Sequence, residues 1–189
     1  MADKPYPTPA QLRQLLDYDP ETGRMVWRER PQTLFTPSGN ISAETRAKQW
    51  NRRYAWKEAF TATRGDGYLC GRIFDRMFAA HRVAWAVGTG HWPTDQIDHV
   101  DGNRTNNALA NLRQASNAEN GRNRGAQRNS KSGLCGVYFH SASNAWTAQI
   151  TADGVRHRLG TFETKEAAAR AYDRAAMEAH ERFARLNFN

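Results

Sequence analysis

Cysteine is nearly absent: Cys70 and Cys135 are the only two in 189 residues. Two thiols cannot staple a secreted scaffold or make a four-thiolate zinc site, so a reducing, cytoplasmic setting is expected. Long apolar runs are missing too. Stretches such as Met77 to Ala80 and Val83 to Val87 are far too short to span a bilayer. No basic segment leads into an apolar one near the N-terminus, so neither a signal peptide nor a membrane partner is expected. No internal repeat or low-complexity tract stands out. Acids are outnumbered, with 19 Asp and Glu against 27 Lys and Arg, a net charge of +8. Such a balance fits a polyanionic partner, of which nucleic acid is the commonest, and equally a merely basic soluble protein. Charge does not separate binding from cutting. Six Trp, six Tyr and eight Phe supply apolar bulk for more than one small core.

Asn120 to Gly133 reads N-G-R-N-R-G-A-Q-R-N-S-K-S-G, with Arg122, Arg124, Arg128 and Lys131 and no acid or large apolar side chain. It cannot bury a core surface, so it is expected to be a linker or loop, whose cations suit a phosphate backbone. From Gly121 onward there are 11 basic and 6 acidic residues, against 16 and 13 before it. Both parts are basic, the second more densely so.

The first part should open with a helix capped by Thr8 and Pro9, with Leu12, Leu15 and Leu16 on one face. Pro20 and Gly23 turn the chain into a strand through Met25 and Trp27. Residues 31 to 60 match no clear pattern, although Trp50, Tyr54, Trp56 and Phe60 require a place to pack. Tyr68 to Phe74 reads as a strand and Ala79 to Val87 as a short buried helix. After residue 133 the pattern is cleaner. Val137 to Phe139 is a strand, Trp146 to Thr151 alternates, and Asp153-Gly154 signals a tight hairpin into a third strand, Val155 to Leu159. Thr164 caps a helix expected over Lys165 to Phe183, with Ala168, Ala171, Tyr172, Ala175 and Ala179 on its packing face. The fold class is therefore α+β, ending in a three-stranded sheet packed on one helix.

The chemistry concentrates in D-H-V-D-G-N-R-T-N-N-A-L-A-N-L-R-Q-A-S-N-A-E-N, Asp98 to Asn120. Gln96 to Val100 can form a strand, and Asp101-Gly102 turns out of it. Ser116 and Glu119 make a capping box that starts a helix carrying Asn120. Hydrolysis of a phosphodiester needs an activated water and neutralised phosphate charge. An imidazole near its pKa can take the proton, and a carboxylate with an amide oxygen suits Mg²⁺. An Asp-His pair alone would more often be an ordinary turn; the full spaced set argues otherwise. His81 beside Ala80, Val83 and Ala84 reads more readily as a core histidine. Any one of Arg82, Arg104 and Arg113 reads as solvated or as a phosphate contact.

Asp98-His99, Asn111 and Asn120, with H-R-V-A-W at 81 to 85 and W-P at 92 to 93, resemble the HNH nucleases of ββα-metal fold, in the Asn-ended variant of phage and intron homing endonucleases. The similarity covers roughly residues 65 to 124. It implies that His99 is the general base, that Asp98 and Asn120 bind one Mg²⁺ or Mn²⁺, and that Asn111 orients the hairpin loop or His99.

Gly136-Val137-Tyr138, Trp146 to Ile150, Leu159 to Phe162, Glu166 to Asp173 and Leu186 to Phe188 resemble the plant ethylene-response-factor DNA-binding domain, over residues 133 to 189. That resemblance implies a sheet entering the major groove of double-stranded DNA. The DNA-facing positions depart from the plant pattern, being Tyr138, His140, Gln149, Thr151, Arg156 and Arg158 here, so the docking mode carries over and the base preference does not. Trp146 is equally a DNA contact or a core aromatic.

The expected organisation is an extension over 1–64, a nuclease core over 65–124, a basic linker over 125–132 and a DNA reader over 133–189. The expected activity is metal-dependent, site-preferring cleavage of duplex DNA by a monomer or weak dimer in the cytoplasm, a bacterial host's if phage-encoded. The alternative is a non-cleaving DNA-binding regulator.

Overall fold

Thr8 starts the first helix through a reciprocal cap. Its hydroxyl accepts from the Gln11 amide and the Gln11 side chain accepts from the Thr8 amide, with Pro9 at the first helical position. This helix, α1 (Pro9–Leu15), runs directly into β1 (Leu16–Tyr18), which pairs antiparallel with β2 (Met25–Trp27). Leu12, Leu15 and Leu16 are wholly buried. The computed structural model describes residues 6–123, 125, 126 and 130–188.

The segment without a clear sequence pattern contains a short 3₁₀ turn (Gln32–Leu34) and α2 (Ala43–Tyr54), capped by Ser42. Its mean hydropathy is low and only Ala47 is buried, so no apolar stripe announced it. β3 (Ala62–Thr63), β4 (Leu69–Ile73) and β5 (Arg76–Ala79) form an antiparallel meander. α3 (Ala80–Thr89) follows without a break and ends at Gly90. Then come β6 (Gln96–His99), a 3₁₀ turn (Leu109–Asn111) and β7 (Leu112–Ala115), which pairs with β6. One core joins Leu12, Leu15, Trp27, Phe60, Ile73, Val83 and Ile97.

The chain divides into two compact units, Met1–Gln114 and Ala115–Asn189. The second opens with α4 (Asn117–Arg122), whose Ser116–Glu119 capping box forms as expected. Residues 120–122, read as the start of a linker, are thus helical, because the cap nucleates the turn. Next come β8 (Val137–His140), β9 (Ala145–Ala152) and β10 (Val155–Phe162), in the order β10-β9-β8. Asp153 and Gly154 take φ of 51° and 79°, the left-handed pair that a tight hairpin requires. β10 runs three residues past its expected end, since a register shift between Arg158 and Gly160 lets pairing resume to Phe162.

α5 (Lys165–His180) packs on the sheet through Ala168, Ala169, Ala171, Tyr172 and Ala176, against Val137, Ala148 and Ile150. Two expectations need correction. The helix stops at His180, with a 3₁₀ turn over Glu181–Phe183, and Ala179 is exposed. Position 179 shares the angular face of 168 and 172, so spacing alone predicts burial; it is exposed because it lies in the last turn, where the helix gives way to the 3₁₀ turn.

Candidate active site

Strand β6 delivers Asp98 and His99, both nearly closed to solvent at 5% and 3% exposure. His99 Nε2 lies 3.3 Å from Asn107 Oδ1. Asn107 is buried, its side-chain amide donates to Thr105 O, and its own carbonyl accepts from the Tyr18 hydroxyl at 2.9 Å. Leu109 N donates to Pro20 O. The N-terminal hairpin therefore holds the loop that carries the partner of His99. Tyr18 becomes half-buried in doing so, which pushes its phenol up to about 12.

Asn111 fastens the same loop. Its amide nitrogen donates to Asp101 Oδ1 and to Asn106 O, each at 2.9 Å, and its oxygen accepts from the Asp101 amide. Of the two positions the resemblance left open for Asn111, these bonds tie it to the loop, while Asn107 is the residue against His99. The sequence offered four asparagines in this loop, and only the folded turn shows which one faces the imidazole.

Arg113 on β7 donates from Nε and Nη2 to Asp98 Oδ2, at 2.8 and 2.6 Å. Its side chain is only 15% exposed. A charge-assisted grip this short fixes the carboxylate's orientation. Arg104 donates to Asp66 O, and its guanidinium sits 5.0 Å from the Tyr68 ring centre. Tyr68 in turn packs on both His81 and His99, whose own ring centres are 5.3 Å apart. His81 on α3 is buried and, among the described residues, its Nδ1 has no hydrogen-bond partner. Burial, followed by His99 and the nearby arginines, pushes it down to about 3, so it is neutral. Burial also holds His99 below the usual imidazole range, against the opposing pull of Asn107, Asp101 and Asp98. Arg82 is committed to Asp95 O and Pro93 O.

Asn120 lies in α4, in the second unit, along with Arg122, which approaches Asp153 Oδ1 at 3.5 Å. Among the described residues no group of three or more His, Cys, Asp or Glu is placed to hold a metal ion. Lys131 is exposed, and Arg124 and Arg128 lie outside the described residues.

The sheet of the second unit presents one face away from α5. Arg158 stands opposite Gln149, Arg156 opposite Thr151 and Tyr138 opposite Thr147. His140 falls on this face by alternation. Tyr138 is 53% exposed, and Arg156 and Arg158 are exposed as well. Arg158 Nη2 donates to Thr161 Oγ1 at 2.8 Å. Trp146 alternates to the helix side, where it packs against Phe139 and the alanine-rich core. A cavity of about 1130 Å³ is lined in part by Lys131, Tyr138, Gln149, Thr151 and Arg156.

No helix among the described residues is long and apolar enough to cross a membrane. The HNH endonuclease family matches residues 78–122, and the AP2 domain family matches residues 132–182. The chain is 36% identical over 107 residues to Protein 3.8 of Escherichia phage T7, covering 56% of this chain and 88% of that protein. It is 34% identical over 123 residues to a protein of Acanthamoeba polyphaga mimivirus described as an uncharacterized HNH endonuclease, 65% of this chain and 63% of that one. It is also 44% identical over 54 residues to APETALA2-like protein 2 of Oryza sativa, 29% of this chain and 12% of that one. No solved structure matches the chain. The histidine-centred site and these relatives agree, and the chain belongs to the HNH endonucleases, as a DNA endonuclease that carries an AP2 domain in its C-terminal part.

Proposed function

We propose that this endonuclease makes metal-dependent, site-preferring cuts in double-stranded DNA, in the manner of a homing endonuclease. The observation that carries the reading is the buried His99 held by Asn107 beside an Asp98 held by Arg113. With Nε2–H donating to Asn107 Oδ1, the tautomer places the imidazole lone pair on Nδ1. That nitrogen takes the proton from the attacking water. Burial keeps His99 neutral at physiological pH, ready to accept it.

Asp98 and Asn120 would hold Mg²⁺ or Mn²⁺. Their carboxylate and amide oxygens are hard donors, and the Arg113 grip on Oδ2 fixes which way the carboxylate faces, so the donor chemistry fits such an ion. When bound, the ion neutralises charge developing on the phosphate and the leaving oxygen. Asn111 keeps the loop closed over Asp101, and Tyr68 and His81 wall the imidazole from bulk water. The functional division proposed is an extension over 1–64, a nuclease core over 65–124, a linker over 125–132 and a reader over 133–189. In the last of these, Tyr138, His140, Gln149, Thr151, Arg156 and Arg158 face the duplex. Arg104, Arg122 and Lys131, with Arg124 and Arg128, add phosphate contacts.

The test is nicking of supercoiled plasmid carrying candidate sites, in EDTA and after adding back Mg²⁺ or Mn²⁺. Cutting that appears only with the ion is expected. Undiminished cutting in EDTA defeats the metal assignment. Gel-shifted DNA that no ion causes to be cut points to the non-cleaving regulator instead.

A further inference from the structure

The first unit contains a second cleft, built by the segment whose sequence pattern was obscure. Its volume is about 690 Å³, within the range of small-ligand pockets. Trp27, Trp50 and Tyr54 supply aromatic surface, and Arg30, Arg46 and Arg72 supply positive charge. Arg30 is the informative residue. Its guanidinium lies 3.9 Å from the Trp50 ring centre and 5.0 Å from that of Trp27. Among the described residues its buried Nε has no hydrogen-bond partner and the side chain makes no ion pair. Burial lowers its pKa to about 10. A half-buried guanidinium held only by aromatic faces and by no carboxylate among the described residues leaves its charge available to an anion.

The placement is deliberate in the sense that the backbone is locked. Asn51 on α2 accepts from Arg30 N at 2.9 Å and donates to Arg30 O at 3.1 Å. The cleft also has two acids. Glu58 is engaged by Arg24 at 3.8 Å, and Asp75 sits at the lining with φ of 66°. Three arginines against these two leave the cleft positive. α2 adds Lys48, Arg52 and Arg53 outside it, with Glu44 paired to Lys48.

A planar aromatic surface beside an unpaired guanidinium selects a ligand that is flat at one end and anionic at the other. A nucleotide meets both demands. In a duplex the base faces are stacked and out of reach, so the nucleotide must be unpaired. We propose that this cleft binds an unpaired nucleotide of a DNA strand, the base against the exposed ring of Tyr54 and a phosphate oxygen on Arg30, whose guanidinium already covers the Trp50 face. The choice of DNA rests on the endonuclease reading. The cleft is a site separate from His99, and its ligand is a single-stranded segment next to the duplex being cut.

The test uses the full chain in EDTA, with fluorescence anisotropy of a labelled decathymidine strand and, in parallel, of a blunt duplex. Arg30→Gln should weaken strand binding about tenfold and Tyr54→Ser several-fold, since a base stacked on an aromatic ring is sequence-tolerant but strong. Both should leave duplex binding within about twofold of the parent. Lys48→Gln, an exposed charge outside the cleft, controls for bulk electrostatics and should leave strand binding alone. Tyr54 is partly exposed, so its variant keeps the test open if Arg30→Gln fails to fold by circular dichroism. No strand binding by the parent, or equal weakening of strand and duplex by Arg30→Gln and Tyr54→Ser, overturns the proposal. So does equal weakening by Lys48→Gln. Plasmid nicking is scored separately with metal present. Strand binding that depends on Arg30 in a protein that never nicks would sink the nuclease reading and leave the cleft standing, and the reverse result would do the opposite.

Discussion

The two units solve opposite problems with their polar residues. In the first, Asp98, His99, His81 and Asn107 are buried among Leu, Ile, Val and aromatic side chains. In the second, Tyr138, Arg156 and Arg158 stand exposed on a sheet whose other face is packed by alanines. On the proposed function, chemistry on water needs a base with one fixed tautomer and a lowered cost of orientation, which burial and hydrogen bonds would supply. On the same proposal, reading a duplex needs exposed donors and cations on a stiff surface, and a sheet backed by a small-residue core would supply them. Damage to the His99 cluster should therefore show in rate, and damage to the sheet in affinity or fold.

The largest effect expected is on rate. His99→Ala should lower cleavage about 10²–10⁴-fold while gel-shift affinity stays near the parent's, because a general base contributes that much and does not position DNA. Asn107→Ala should follow with a loss of about tenfold, the worth of one orienting hydrogen bond. Nicking by His99→Ala at the parental rate would remove the imidazole from the mechanism. An Asn107 effect on binding rather than rate would reassign that residue to loop stability.

Next comes a break confined to the second unit. Gly136 has φ of 65°, and an added Cβ would meet Tyr172 Cδ2 at 2.2 Å and Gln149 O at 2.4 Å. Left-handed strain and overpacking add here, so Gly136→Ala should cost about 2–5 kcal/mol. The backbone and the aromatic ring cannot both yield, since Tyr172 is buried under the sheet. Thermal unfolding followed by amide NMR should show the second unit melting early and the first unchanged. A single unaltered transition for both would mean that the site can relax and that the close approach is not structural.

Much of this contrast was legible in the chain, for reasons that differ by region. Asp153-Gly154, the Ser116–Glu119 box and the Thr164 cap are local signals, and each forms where its residue types demand. The spacing of Asp98, His99 and Asn111 pointed to the strand and loop where the buried polar cluster forms. Asn107 was not legible, because its role comes from a loop closed by Tyr18 and Pro20, some ninety residues earlier in the chain, and Tyr68 was not, because it meets His81 and His99 only in the folded packing. α2 was hidden by its nearly unbroken polarity, with one buried alanine in twelve residues. The service of Arg113 to Asp98 depends on the β6–β7 pairing, which single-residue reasoning about cations does not anticipate.

A third prediction concerns pH and the first unit. The folded state holds His81 neutral down to about 3, whereas an unfolded histidine protonates near 6.5. Between those values the unfolded chain binds the extra proton, so this group's contribution is full above about 6.5 and is lost as pH falls toward 3. The slope is at most about 1.4 kcal/mol per pH unit. Denaturant melts of the parent and of His81→Phe, at pH 7 and pH 5, give the difference directly. The variant should lose less stability on acidification. Identical losses would show that His81 is solvated enough to charge in the folded state.

The smallest effect belongs to the exposed face. Arg156 lies opposite Thr151 on the side of the sheet away from α5, whereas Arg174 is exposed on α5 itself. If the sheet meets the duplex, Arg156→Gln removes one phosphate neutralisation. Affinity should fall only a few-fold, by similar amounts on different sequences, and the slope of log affinity against log salt should become shallower by about 0.9. Arg174→Gln removes the same charge from the opposite face and should leave that slope alone, because a cation directed away from the duplex releases no condensed counterion. Pairing the two variants cancels the change in net charge, so any difference between them reports geometry. Equal slopes for Arg156→Gln and Arg174→Gln, measured by anisotropy at four or so salt concentrations, would show that the sheet face is not where DNA docks.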